Sequence, residues 1–259
     1  ITTRIYVVRD IINNKLNFMI MDEILKELHT LKLPGMARFW QSLTETHRMD
    51  SLTLIDGLTL MLQSEREERS TKKNERLIKE AHFRYKASFE ELMIDAARGV
   101  DAGKVARLGT GDYIKKGDSI IVTGASGCGK SFLATALGYK ACFQGYRVQY
   151  YNMQKLLAQL KLARIEGVSI KLFEKIAKAD LLIIDDFGMN VLEGYQQNDF
   201  MEILEDRHAL KSIIIVGQLP VSKWFDVIGN GLIADAALDR IVHTSHRFEL
   251  KGESLRKKN

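Results

Sequence analysis

The chain has 259 residues, 46% hydrophobic and 27% charged, with a formal net charge of +5. That composition belongs to an ordinary globular protein of one or two domains and excludes fibrous and intrinsically disordered chains. No apolar run reaches the roughly 18 residues of a membrane span, so no membrane partner is expected. Arg4, Arg9 and Asp10 interrupt the stretch where a secretion signal would be apolar. Cys128 and Cys142 are the only cysteines, 14 residues apart on or beside one predicted helix. That is roughly 21 Å by helical rise, too far for a bridge, and a reducing cytoplasm is the expected location. The positive balance admits an acidic partner such as nucleic acid without requiring one.

Residues 1–20 show no clean period and stand as an extra N-terminal segment. Residues 21–98 read as a helical N-terminal domain, with Leu33-Pro34-Gly35 punctuating its first helices. Leu54, Ile55, Leu58, Met61 and Leu62 follow the spacing of one buried helix face. A helix predicted over 65–98 carries, between residues 66 and 86, Arg66, Arg69, Lys72, Lys73, Arg76, Lys79, Arg84 and Lys86 against Glu67, Glu68, Glu75 and Glu80. This excess of positive charge fits either a solvated face or a surface for DNA or another partner. The glycine-rich segment 99–117 reads as a linker into a second domain over 118–259. There, strands are predicted at 119–123, 147–151, 181–185, 212–217 and 246–250, with helices between them. Such alternation gives an α/β fold whose parallel sheet is covered on both faces.

Between the first of those strands and the helix after it lies Gly124-Ala125-Ser126-Gly127-Cys128-Gly129-Lys130-Ser131, a complete G-x-x-x-x-G-K-[ST] phosphate loop, followed by Phe132. Its glycines let backbone N–H groups form a nest around phosphates, and the helix N-terminus adds a favourable field. Lys130 is expected on the outer phosphates and the Ser131 hydroxyl on Mg²⁺. The strand Leu181-Leu182-Ile183-Ile184 ends in Asp185-Asp186. Asp185 is positioned to hold the Mg²⁺ shell, and Asp186 to orient an attacking water. Such sites commonly carry Glu at the second position, so the shorter Asp186 predicts slow hydrolysis of ATP.

Two overlapping patterns are decoys. Asp185 to Gly188 fits the D-x-x-G of GTPases, but no [NT]-K-x-D follows; Asp186-Phe187-Gly188 spells the kinase DFG without an H-R-D loop. Gln218 ends the fourth strand, either as a sensor of the γ-phosphate or as a cap before Pro220. Arg240 lies on an apolar helix before the last strand, where it could reach a neighbouring subunit's γ-phosphate. Arg207 and Arg256 are further candidates for catalysis, or ion-pair partners of Glu205, Asp206 or Glu253.

The segments GASGCGKSFLATALG, LLIIDDFG, EDRHALKSIIIVGQLPVSKW, ADAALDRIVH and FELKGESLRKK occur in this order. Together they resemble IstB, the ATP-binding transposition helper of bacterial insertion sequences and a relative of the helicase loader DnaC in the AAA+ initiator clade. The resemblance runs from about Asp22 to Lys258 and leaves out residues 1–20. It implies an AAA+ P-loop ATPase domain with a truncated lid, preceded by a small all-α domain. It also places Gln218 on sensor I, Arg240 on the trans-acting arginine finger and Arg256 near sensor II. Met153 to Lys178 falls on a helical insertion facing DNA, carrying Lys155, Lys161, Arg164, Lys171 and Lys175. The implied protein uses ATP and Mg²⁺ and forms a homo-oligomer with ATP between subunits. It grips duplex DNA with little sequence preference and recruits a cognate transposase. A DnaC-like helicase loader is the alternative with the same engine, and a small-molecule phosphotransferase is disfavoured by the acid pair and Arg240.

Overall fold

The computed structural model describes residues 19–46, 48, 51–243 and 245–255. The chain divides into two compact units at Lys73/Asn74, inside a long helix, rather than at a boundary near 98.

In the first unit, helix α1 covers 19–30, α2 covers Pro34–Glu45, and α3, Leu54–Ala81, begins. Pro34 opens α2 in the first turn, where its missing N–H is not needed. The next amides, Gly35 N and Met36 N, donate to Glu65 Oε2 at 2.8 and 3.2 Å. Gly35 has to be glycine: a Cβ there would stand 2.5 Å from the Glu65 backbone. Burial pulls the Glu65 carboxyl up, but the Arg69 hydrogen bond and the two amides outweigh it and leave it below the usual carboxylate range. The stripe Leu54, Ile55, Leu58 and Leu62, expected to be buried, is exposed, with Leu54 82% accessible. Helical spacing marks an apolar face without saying what covers it. Part of the basic charge on α3 is already paired: Glu68 takes Lys72 along with Arg38 of α2, and Glu65 takes Arg69.

In the second unit, α3 ends at Ala81 and does not continue to 98. His82 follows in the left-handed region, φ 56°, the usual way out of a helix for a residue that tolerates it. The chain then runs as an irregular strap that packs Phe83, Phe89 and Leu92 against the core. Phe83 stacks on Tyr139 at 4.6 Å. The expected linker 99–117 is structured as well. Helices α4, Ala102–Gly109, and α5, Asp112–Lys116, bury Val105, Leu108, Tyr113 and Ile114. Its glycines are fixed turns: Gly99, Gly111 and Gly117 all have positive φ, which glycine adopts without steric cost.

Five strands follow: β1, Ile120–Gly124; β2, Val148–Asn152; β3, Leu181–Phe187; β4, Ser212–Gly217; and β5, His246–Leu250. All pair in parallel, in the order β2-β3-β4-β1-β5. Each lies within two residues of its predicted span; β1, β3 and β4 are the near-continuous apolar runs of strands buried on both faces, whereas β5 at the sheet's edge alternates buried and open positions. The pleat sends alternate residues to opposite faces. Ile120, Val122, Ile183 and Ile214 face α6, Lys130–Phe143, while Ile121, Leu182, Ile184 and Ile215 face the other layer. That layer holds α7, Met153–Ile165; α8, Ser169–Ala177; α9, Tyr195–Glu205; α10, Trp224–Ile228; and α11, Gly231–Val242. A sheet buried on both faces puts its only chemistry at its ends, and the carboxyl end of β1 carries the phosphate loop.

Candidate nucleotide site

Three of the loop's glycines are required by geometry. Gly124, Gly127 and Gly129 have φ of 143°, 80° and 99°. A Cβ at Gly124 would also meet Leu250 O of β5 at 2.2 Å. The loop feeds α6, whose first residue is Lys130. Lys130 is 7% exposed, and its Nζ donates to Ala125 O at 2.7 Å within the loop. The tail after β5 closes one side, with Leu255 N donating to Gly127 O at 2.9 Å.

β4 lies between β1 and β3, so Gln218 stands between the loop and the acid pair. Asp185 is fully buried at the end of β3. Its Oδ1 accepts from Ser131 Oγ at 3.0 Å and from Asp186 N at 2.9 Å, while Oδ2 accepts from Tyr150 Oη at 2.5 Å. Burial, then the hydrogen bond to Asp185 and its charge, push the Tyr150 hydroxyl far above its ordinary range, so it remains a donor. Asp186 takes a different direction. The β3–β4 register shifts between Ile184 and Phe187, and Asp186 has φ 58°. A bulge with a left-handed residue re-aims a side chain that strict alternation would send into a core layer. Asp186 therefore lines a cavity of about 460 Å³ together with Lys130, Ser131, Gln218 and Arg84.

Ser131 and Asp185 form a hard-oxygen pair of the kind Mg²⁺ takes when phosphates and waters supply the remaining ligands. Among the described residues no cluster of three or more His, Cys, Asp or Glu could hold a metal alone. That donor set fits an ion that arrives with a phosphate ligand.

Sequence reasoning missed four contributors. Tyr150 orients Asp185, and Asn152 has a double role. Its Nδ2 donates to Asp186 Oδ2 at 2.7 Å, while its Oδ1 caps α7 by accepting from Lys155 N at 3.3 Å. A strand ending in Asn before a helix was the available signal. Arg84 and Tyr85 come from the strap, which carries no motif; Tyr85 lies over Phe132 with ring centroids 6.4 Å apart. An apolar cavity of about 190 Å³ adjoins the site across Gly129, Phe132 and Leu255 and is lined by Leu92, Met93 and Val100.

Arg207 does not belong to this site. It is 2% exposed and donates to four backbone carbonyls: Ile176 at 2.9 Å, Ala179 at 3.1 Å, Asp180 at 3.4 Å and Ser212 at 2.6 Å. These lie where β3 and β4 begin, at the amino-terminal edge of the sheet where its strands start, opposite the loop. Burial lowers its pKa to about 10, so it stays charged at neutral pH as a structural clamp. Arg240 also lies toward that edge, near the end of α11 and just before β5 starts. Its Nη2 pairs with Glu205 Oε2 at 2.6 Å. A strand length, roughly 15 Å, separates that edge from its own loop. Arg256 lies outside the described residues.

Of the expected DNA contacts, Lys155, Lys161 and Lys171 are exposed, whereas Arg164 is committed. It pairs with Asp199, which is 4% exposed, and its guanidinium covers the Tyr195 ring at 4.9 Å. Lys155 and Lys171 line two adjoining cavities that share His82 and Lys175 along the edge strand β2.

A phosphate loop, an acid pair two strands away and a polar residue just past the strand between them define a P-loop nucleotide-binding protein. The model of the IstB-like ATP binding protein family matches residues 26–259, and the chain belongs to that family. It is 39% identical over 239 residues to a protein of Sinorhizobium fredii named as an insertion sequence ATP-binding protein, covering 92% of this chain and 98% of that one. The fold is similar to that of the DnaC helicase loader, with TM-score 0.53 and 19% identity over 64% of this chain and 97% of that one. It is also similar to AMPPCP-bound DnaA from Aquifex aeolicus, with TM-score 0.55 and 19% identity over 66% of this chain and 52% of that one.

Proposed function

We propose that the protein is an ATP-dependent transposition helper that binds and slowly hydrolyses ATP, assembles on duplex DNA and recruits or activates a cognate transposase. The observation that carries the ATP reading is the single cavity that collects Lys130, Ser131, Asp186 and Gln218, with Asp185 buried behind Ser131. In this reading the loop amides and Lys130 hold the phosphates. Ser131 and Asp185 hold Mg²⁺, which would supply charge neutralisation at the phosphates. Asp186 and Gln218 orient water, and the small apolar cavity beside Phe132 takes the base.

Arg240 supports the assembly half of the proposal. It cannot serve its own loop, and a guanidinium at a subunit boundary is suited to stabilising charge that develops on a neighbour's phosphate. Contact with DNA is proposed through exposed Lys155, Lys161, Lys171 and Lys175, with exposed Arg164 held by its pairing to Asp199. Phosphate contacts by lysines tolerate any sequence and weaken with salt. The names of the insertion-sequence relatives favour a transposase as partner over a replicative helicase, for which the likeness is one of fold alone.

Mixing two inactive variants tests the shared site. Lys130→Ala should fail to bind ATP, and Arg240→Ala should bind ATP without hydrolysing it. Mixed on duplex DNA, they should recover part of the wild-type hydrolysis, because a Lys130→Ala subunit can lend its Arg240 to a neighbour. Absence of recovery, with both variants still assembling, would show that each subunit works alone.

A further inference from the structure

Arg84 has no place in the sequence motifs, yet the fold delivers it to the mouth of the phosphate cavity. α3 ends at Ala81, His82 turns the chain through its left-handed φ, and Arg84 follows two residues later. Next to it, Tyr85 lies over Phe132 in the first turn of α6, which fixes the strap's backbone beside the loop. The Arg84 side chain is 60% exposed, so it can change partner without a large desolvation cost. Its Nη1 stands 3.7 Å from Asp186 Oδ2, the same oxygen that accepts from Asn152. Lys130 and Arg84 are the two cationic side chains among the described residues lining this cavity.

The carboxylate proposed to orient water is thus engaged by a guanidinium within a cavity shaped for a polyanion. A terminal phosphoryl group offers a guanidinium two oxygens in the geometry that its fork prefers, with more negative charge than a carboxylate carries. We infer that Arg84 is a ligand of the γ-phosphate in its own subunit, exchanging Asp186 for the phosphate when a triphosphate enters. The exchange leaves Asp186 to Asn152 and to water. ADP has no group at that position, so it leaves the Arg84–Asp186 pair intact, and Arg84 discriminates ATP from ADP. This rests on the nucleotide-site reading above.

Calorimetric titration of ATP and ADP, with Mg²⁺ present throughout, into wild type, Arg84→Ala and Arg84→Lys tests the inference. Arg84→Ala should weaken ATP about ten- to hundredfold, the range for one charge-assisted hydrogen-bonded contact, and change ADP by less than about twofold. Arg84→Lys should recover part of the ATP affinity, since a point charge remains while the fork is lost. The unchanged ADP affinity also reports that the variant is folded. Equal weakening of both nucleotides would reduce Arg84 to a structural residue, and unchanged ATP affinity would remove it from the site. Wild type that binds neither nucleotide would instead overturn the underlying site reading.

Discussion

Arg207→Ala should damage stability while leaving the nucleotide site intact. Four carbonyls accept from this guanidinium, and two of them keep another donor when it is gone: Ala179 N reaches Ile176 O, and Ser212 N reaches Asp180 O. Ala179 O has no other donor among the turn and loop hydrogen bonds around it, and Ser212 O gives up the shortest of the four contacts, 2.6 Å. Hydrogen bonds to a charged group contribute about 1.5–3 kcal/mol each, so losing these two costs about 3–6 kcal/mol. For a domain of this size that lowers Tm by roughly 6–24 °C. Arg207→Lys should fall between, since one ammonium cannot reach four carbonyls spread over three elements. Scanning calorimetry measures the shift, and titration with ATP below the variant's Tm should give a wild-type Kd. A Tm within about 2 °C of wild type, combined with lost hydrolysis, would refute the clamp and return Arg207 to the active site.

Asp186→Asn should keep ATP affinity and slow hydrolysis on the order of 10²-fold, as loss of a water-orienting group does; an undiminished turnover rate would move that role elsewhere. Glu65 has a folded pKa below its unfolded value, so its contribution to stability is complete above the unfolded value near 4.5 and is lost as pH falls through the folded one. The stability gap between wild type and Glu65→Gln in urea should therefore be full at pH 7 and shrink only as pH falls below the unfolded value and on through the folded one; a gap independent of pH would contradict the assignment. Arg164→Glu should destabilise the fold by placing a second carboxylate against buried Asp199. Lys171→Glu should leave Tm unchanged and lower the log–log salt slope of DNA binding by about one unit. If Arg164→Glu were as stable as wild type and weakened only DNA binding, Arg164 would belong to the DNA surface after all.

The strands and the phosphate loop were legible because their causes are local. A strand buried on both faces has to be an apolar run, and a phosphate nest needs its glycines at fixed spacing. Asp185 and Asp186 were legible as a pair, but their different environments were not, because the bulge that separates them is a property of β3 pairing with β4. Long-range packing decided the remainder. Arg207 reads in sequence as a catalytic residue or an ion-pair partner of its neighbours and Arg164 as a DNA contact, yet carbonyls of Ile176, Ala179 and Asp180 and the carboxylate of Asp199, 27 to 35 residues away, hold them. Residues 99–117 read as an interdomain linker by glycine content, although those glycines are the turns that let α4 and α5 reach the core. The strap carrying Arg84 and Tyr85 has no motif at all, and only its packing on α6 brings it to the nucleotide cavity.

Isothermal titration of Mg²⁺-ATP into wild type and Lys130→Ala tests the central claim most directly. Lys130 is the buried cation of the loop, and a phosphate bound there without it loses the one cationic side chain seated within the loop itself. Wild type should bind one ATP per chain, and a Lys130→Ala protein with unchanged Tm should show no measurable heat of binding at the same concentrations. Equal ATP affinity in the two proteins, with the variant folded, would mean that this loop is not where the nucleotide sits.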